Sequence, residues 1–176
     1  MLEGEKNLIN RAKSGEAKAF GLLYDHYIPQ IYRFIYLKVT NREEAEDLTH
    51  QVFMKAWQNI NNYEERGFQF SSWLYQISRN QVIDFYRQKK QYLDLEAVDP
   101  ELLVDQSKDR AHEKLEISKI QKSLNELTDE QKEVIIMHFI NDISIKDIAK
   151  TLKKTEGAIR LLQHRAIDRL KKIMKK

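Results

Sequence analysis

The chain has 176 residues, with 30 basic and 27 acidic side chains, a formal net charge of +3 and no cysteine. That length allows one domain or two small ones with real apolar cores, and the lack of cysteine excludes disulfides and thiolate metal sites and fits a reducing cytoplasm. No run of about 18 apolar residues is present, so no membrane insertion is expected, and the polar N-terminus carries no apolar signal-peptide core.

Two prolines and five glycines among abundant Leu, Ile, Lys and Glu predict an all-α chain. Lys6 to Lys13 reads as a short first helix, stopped near Ser14-Gly15. Ala17 to Val39 follows as a long helix carrying Phe20, Leu23, Tyr27, Ile31, Phe34, Ile35 and Tyr36, which Pro29 should bend or split. Thr40 or Asn41 caps a third helix with Glu43 and Glu44 in its favourable first turn. It runs to about Trp57 and buries Ala45, Leu48, Val52, Phe53 and Ala56. Asn61 to Gly67 is a polar loop leading into the helix on which the chain is organised.

That helix covers Phe68 to Lys90 without Pro or Gly. At 3.6 residues per turn, Phe70, Trp73, Leu74, Ile77 and Phe85 share a core face. Tyr75, Arg79, Val82 and Tyr86 share a second, and Trp73, Asn80, Asp84 and Arg87 a third. Aromatic rings stack on any base, guanidinium groups attract phosphate, and an amide can read a base edge. A buried bundle helix with locally satisfied polar groups is the plainer account, and composition alone does not separate the two.

Residues 93–112 break the helical pattern. They are acidic, contain Pro100 and show no sustained apolar stripe, so an irregular linker is expected. It is either a solvated tether or an acidic strand that occupies a basic channel. From Glu113 onward charge reverses, and the last 31 residues carry a net charge of +8. A basic module of this kind suits a polyanion, although a solvated Lys-rich helix end would look the same.

In this second module one helix takes Leu115, Ile117, Ile120 and Leu124. Thr128-Asp129-Glu130-Gln131 is a capping box opening a helix with Val134, Ile135, Met137 and His138. Ser144 caps Ile145 to Leu152, and Thr155 caps a last helix reaching about Met174. Small Ala149, the wedge of Ile145, Ile148, Leu152 and Ile159, and the short turn have helix-turn-helix character. The second helix of such a unit leads into the major groove, with Arg160, Gln163, His164 and Arg165 facing outward.

Three segments together resemble the bacterial RNA polymerase sigma factors of the sigma-70 superfamily, in the small extracytoplasmic-function group. They are Asp47-Leu48-Thr49-His50-Gln51-Val52-Phe53-Met54-Lys55-Ala56-Trp57, then Phe70-Ser71-Ser72-Trp73-Leu74-Tyr75-Gln76-Ile77-Ser78-Arg79-Asn80, and the helix-turn-helix from Ile143 to Leu170. The resemblance covers nearly the whole chain. It implies a core-docking and −10 domain over residues 1–92, the acidic linker over 93–112, and a −35-reading helix-turn-helix domain over 113–176. Its implied partners are core RNA polymerase, through the β′ clamp helices and β flap, and promoter DNA. Whether an anti-sigma factor silences the chain stays open.

By the same resemblance, Asp47, His50 and Gln51 would dock on the clamp helices. The family usually has Gln then Glu where His50 and Gln51 stand. Trp73, Tyr75, Arg79, Asn80 and Arg87 of the Phe68–Arg87 helix, with the Asn61–Gly67 loop before it, would recognise and open the −10 element, with Asn80 where the family holds a flipped base. Arg160, Leu161, His164 and Arg165 would read the −35 element, and Leu162 stands where many members have a basic residue. No nucleophile with its base, phosphate-binding Gly loop or metal cluster is recognisable. His26, His50, His112, His138 and His164 are scattered without ligand spacing. A non-catalytic protein without cofactor is expected. A helix-turn-helix regulator acting without polymerase, and an adaptor that docks a partner helix on exposed aromatics, are the competing readings. The first gives no reason for the Asp47 helix, and the second predicts no dependence on DNA.

Overall fold

The computed structural model describes residue 2 and residues 4–64, 69–96 and 120–174, and every regular element among them is a helix. No described helix is long and apolar enough to cross a membrane. Contacts divide the chain into two units, the first built on Met1–Asp84 and the second on Phe85–Ala149 and Lys153–Lys176.

In the first unit α1 spans Glu5–Lys13. Gly15 ends it at φ 88°, with the amides of Gly15 and Glu16 reaching back to the carbonyls of Ala12 and Arg11. A side chain would strain that left-handed turn, which is why the Ser14-Gly15 signal works. α2 is continuous over Ala17–Val39, so Pro29 does not split it. Pro29 faces solvent, and the missing amide costs one bond on the wet side of a helix anchored by its buried face. α3 covers Arg42–Asn59, with the Asn41 side chain accepting from the Glu44 amide at 2.9 Å. Asn41 rather than Thr40 is therefore the cap. Ala45, Leu48, Val52, Phe53 and Ala56 are buried as the periodicity predicted.

A single 3-10 turn, Ile60–Asn62, opens the expected loop, whose residues 65–67 lie outside the described ones. α4 runs from Phe70 to Glu96, beyond the expected end at Lys90. No Pro or Gly interrupts that run, so residues 93–96, read as linker, stay helical. The rest of the expected linker, residues 97–112, lies outside the described residues.

The core of this unit is aromatic and rotated from the expected face of α4. Phe70, Leu74, Tyr75 and Val82 are buried, while Trp73, Ile77 and Phe85 are only half-buried. Tyr75 meets Phe34 of α2 edge-on, centroids 5.3 Å apart. Phe70 lies between Tyr27 and Tyr63, at 5.6 and 5.3 Å. Edge-to-face packing of this kind adds about 0.5–1.5 kcal/mol per pair beyond burial. Tyr27 also donates its hydroxyl to Glu5, tying α1 to α2, and burial first and that bond second push its pKa up. Lys13 of α1 donates to the Tyr63 carbonyl, fixing the start of the loop.

In the second unit residues 120–125 are helical. α5 (Asp129–Ile135) starts at the predicted capping box, formed in both directions by Thr128 and Gln131. It continues into a π-helical turn, Ile136–Ile140, which the sequence pattern did not announce. α6 (Ile145–Thr151) is capped by Ser144, whose Oγ accepts from the Asp147 amide at 3.1 Å. Lys153 at φ 53° makes the turn, and its neighbour Lys154 donates back to the Ala149 carbonyl at 2.8 Å. α7 (Glu156–Met174) follows, with Thr155 Oγ1 accepting from the Ala158 amide at 3.2 Å. Ile148, Ala149 and Ile159 are buried at the helix crossing, whereas Ile145 and Leu152 are half-buried.

Candidate functional site

Three surfaces carry the residues singled out by the sequence. The first is the outer face of α3, where Asp47, His50 and Gln51 all lie exposed. The same helix turns Leu48, Val52 and Ala56 inward, so burial of one side presents the polar row on the other. His50 also borders an apolar groove of about 440 Å³. Phe20 and Tyr24 of α2 line it with Phe53, Met54 and Trp57 of α3. Met54 there is 60% exposed, an unbranched, polarizable side chain that suits contact with another apolar surface.

The second surface is a cleft of about 420 Å³ between α3 and α4. Trp73, Ile77, Asn80 and Asp84 form one wall at helical spacing, which is the third stripe read from the sequence with Ile77 added and Arg87 left out. Lys55, Asn59 and Asn62 form the opposite wall; sequence reasoning missed Lys55 and Asn59, and reached Asn62 only as part of the Asn61–Gly67 loop. The available signal was the i, i+4 spacing of Lys55 and Asn59 on a known amphipathic helix. Asn59 is anchored by donating to the Lys55 carbonyl at 2.8 Å. Trp73 packs at 5.4 Å from Tyr63 and 5.5 Å from Phe70, so its indole is braced by the core while still bordering the cleft. Asn80 is exposed at the rim. Amides, a carboxylate, an ammonium and an aromatic side chain together can hold a base edge, a phosphate and a base face.

Tyr75 does not join this group. It is 1% exposed, so the expectation that its ring stacks a base is corrected. The reason is the rotation of α4, which carries the second face of the helix into the core. Arg79 is half-buried and Arg87 exposed on α4, and neither lines the cleft.

The third surface is the N-terminal half of α7. Arg160, Leu161, His164 and Arg165 are exposed on one face, while Ile159 and Ala166 are buried on the other. Gln163, expected to face out, is half-buried. Leu161 is 50% exposed, an apolar group suited to a thymine methyl. Glu156 holds Arg160 at 3.8 Å and Asp168 holds His164 at 3.3 Å, both one turn away. Such exposed pairs are weak and can exchange for phosphate or base contacts.

Comparison with known proteins shows the family of the chain. The family model for Sigma-70 region 2 matches residues 23–92, and that for Sigma-70, region 4 matches residues 123–172. The chain is 34% identical over 170 residues to the ECF RNA polymerase sigma factor BldN of Streptomyces coelicolor, covering 95% of this chain and 64% of that protein. It is 33% identical to the ECF RNA polymerase sigma factor SigW of Bacillus subtilis, covering 95% of each. Among solved structures, CnrH in complex with the cytosolic domain of CnrY is similar in fold at a TM-score of 0.79 and 21% identity, covering 98% of this chain and 97% of that one. The sigma factor RpoE of Bartonella quintana, solved with the anti-sigma factor NepR, matches at a TM-score of 0.70 and 27% identity. That match covers 90% of this chain and 98% of the other.

Proposed function

Given that the chain belongs to the sigma-70 family, in its extracytoplasmic-function group, we propose that it divides promoter engagement among the three surfaces described above. It is a transcription initiation factor that binds core RNA polymerase and directs it to specific promoters. In our reading Asp47, His50 and Gln51 dock on the β′ clamp helices, with the adjoining apolar groove available to the same interface. Arg160, Leu161, His164 and Arg165 read duplex DNA at the −35 element from the major groove, and the β flap meets this second module. The α3–α4 cleft receives an extruded base of the −10 element, with Asn80 on its edge, Trp73 beside its face and Lys55 near its phosphate. Arg79 and Arg87 on α4 steer the strand. Nothing in this scheme calls for catalysis: capture offsets a few kcal/mol of unpairing and unstacking for each flipped base.

The single observation that supports the residue assignment best is the cleft itself, where an exposed amide, a braced indole and a lysine converge on a space open to solvent. An anti-sigma factor is a further partner class, supported by kinship with RpoE. The protein would work in the cytoplasm, beside the polymerase. The test is co-elution of the purified chain with core polymerase, followed by binding of that complex to fork templates with a single-stranded −10 region. We expect stable co-elution and a base preference on the fork. A chain that binds duplex promoter tightly alone and ignores the polymerase would instead be a helix-turn-helix regulator.

A further inference from the structure

Gln81 follows Asn80 on α4 and is only 8% exposed, yet its amide is held at both ends by α3. Its Oε1 accepts from Lys55 Nζ, and its Nε2 donates to Gln51 Oε1. Lysine can only donate, so this pairing dictates which way the Gln81 amide faces. Gln51 must then turn its own oxygen inward and present its NH2 group away from Gln81. Gln51 and Lys55 stand one helical turn apart on α3, so one amide bridges both. These two residues belong to different surfaces. Gln51 lies in the exposed row proposed for docking, and Lys55 lines the cleft with Trp73 and Asn80.

We propose that Gln81 is a positioning residue that couples polymerase docking to strand capture. It holds the Lys55 ammonium at the cleft wall for the phosphate of the captured nucleotide, and holds the Gln51 amide in its docking orientation. This rests on the docking and capture roles assigned above. An untethered lysine gives up its rotamer freedom on meeting a phosphate, whereas here the bond to Gln81 does part of that ordering when the chain folds and docking completes it. A partner group engaging the Gln51 NH2 orders Gln51, which orders Gln81, which in turn holds Lys55. Such coupling is reciprocal: the factor by which docking strengthens capture is the factor by which capture strengthens docking.

The experiment uses the full chain with core polymerase and a fork template, comparing Gln81→Met, Lys55→Met and the double variant, with thermal melting of each. Methionine keeps the length and helix propensity of the side chain and removes its hydrogen bonds. Gln81→Met should weaken fork binding by about tenfold, the low end for one hydrogen bond to a charged group, and equally for every base. Lys55→Met should do the same, and the double variant should be no worse than either. The template should also lose its strengthening effect on core binding in Gln81→Met. A merely structural Gln81 would lower the melting temperature and give additive losses. Should Gln81→Met fail to fold, Gln81→Glu serves, since it keeps a partner for Lys55 but cannot donate to Gln51. It should abolish the mutual strengthening, and persistence of that strengthening would overturn the proposal. Additive losses, or wild-type fork affinity in folded Gln81→Met, would overturn it equally. If the wild-type chain bound neither core nor fork, the functional assignment itself would fall with it. Normal wild-type behaviour with additive variants sinks the coupling alone.

Discussion

Removing the amide of Asn80 should change which base is preferred at one position of the −10 strand while leaving the fold untouched. Asn80 is exposed, so Asn80→Ala opens no cavity and leaves no buried group unpaired. Its cost to folding should stay within about 0.5 kcal/mol. A good pair of hydrogen bonds to a base edge discriminates by about 1–3 kcal/mol. That converts to between about fivefold and a hundredfold in relative affinity. The neighbouring Tyr75 should behave in the opposite way. It is buried edge-on to Phe34, so Tyr75→Ala should cost about 3–5 kcal/mol of stability, as aromatic deletions in cores do. The assay is binding of the chain–core complex to fork templates carrying each base at each −10 position, with thermal melting beside it. A flat, base-independent loss for a normally melting Asn80→Ala would show that this amide does not read sequence. A Tyr75→Ala protein that melted normally yet lost single-strand affinity would refute the core placement of Tyr75.

Further predictions address the other surfaces and the scaffold. Asp47→Arg with Gln51→Arg should abolish co-elution with core polymerase in a chain that still folds, since both side chains are exposed and the lost bond from the buried Gln81 amide to Gln51 costs about 1–3 kcal/mol; retained binding by the folded variant would remove α3 from the dock. Arg160→Ala and Arg165→Ala should each weaken binding to the −35 duplex by about 1–3 kcal/mol if the contact is to a base edge, and opening of a pre-melted template should hardly change. Equal impairment on both templates would break the division of labour. Burial and the bond to Glu5 raise the Tyr27 pKa above the ordinary 10.0, so the unfolded chain loses that proton first. Stability from this group is therefore complete below pH 10.0 and falls as pH rises beyond it. The slope is at most about 1.4 kcal/mol per pH unit. Denaturant titrations of Tyr27→Phe should show a shallower alkaline decline than wild type, and an identical decline would dismiss the effect.

Much of this was legible in the sequence because it depends on local rules. The glycine stop at Gly15, the capping box at Thr128-Gln131 and the caps at Ser144 and Thr155 act within a few residues, and the structure forms all of them. Helix periodicity likewise placed the buried row of α3, while the family resemblance singled out Asp47, His50 and Gln51, which the structure leaves exposed. What periodicity could not decide was the rotation of α4. Its aromatics occur all round the helix, so Trp73 and Tyr75 were equal candidates until Phe34 of α2 supplied the partner that buries one of them. Lys55 and Asn59 were missed for the same reason: their i, i+4 spacing shows only that they share a face, and the cleft they line with Asn62 exists only once α3 and α4 face each other. The continuation of α4 through residues 93–96 was misread because their acidity outweighed the absence of a helix breaker.

α3 therefore carries three tasks on one cylinder. Its inner face holds the core through Leu48, Val52 and Ala56, its outer face offers Asp47, His50 and Gln51, and its flank supplies Lys55 and Asn59 to the cleft. A helix is rigid over this length, so a shift forced at the core should displace dock and cleft together. Ala56 tests this, being 0% exposed on the inner face. Ala56→Leu adds volume where none is free and should cost about 1–3 kcal/mol in strain or displacement. Exposed-face substitutions should separate core binding from strand capture, whereas Ala56→Leu should weaken both in parallel, at a temperature where melting shows the protein still folded. −35 duplex binding through α7 should meanwhile stay near wild type, because Ala56 and α7 belong to different units. Loss of core binding with capture fully preserved in folded Ala56→Leu would mean that the two surfaces do not share α3 as their common frame.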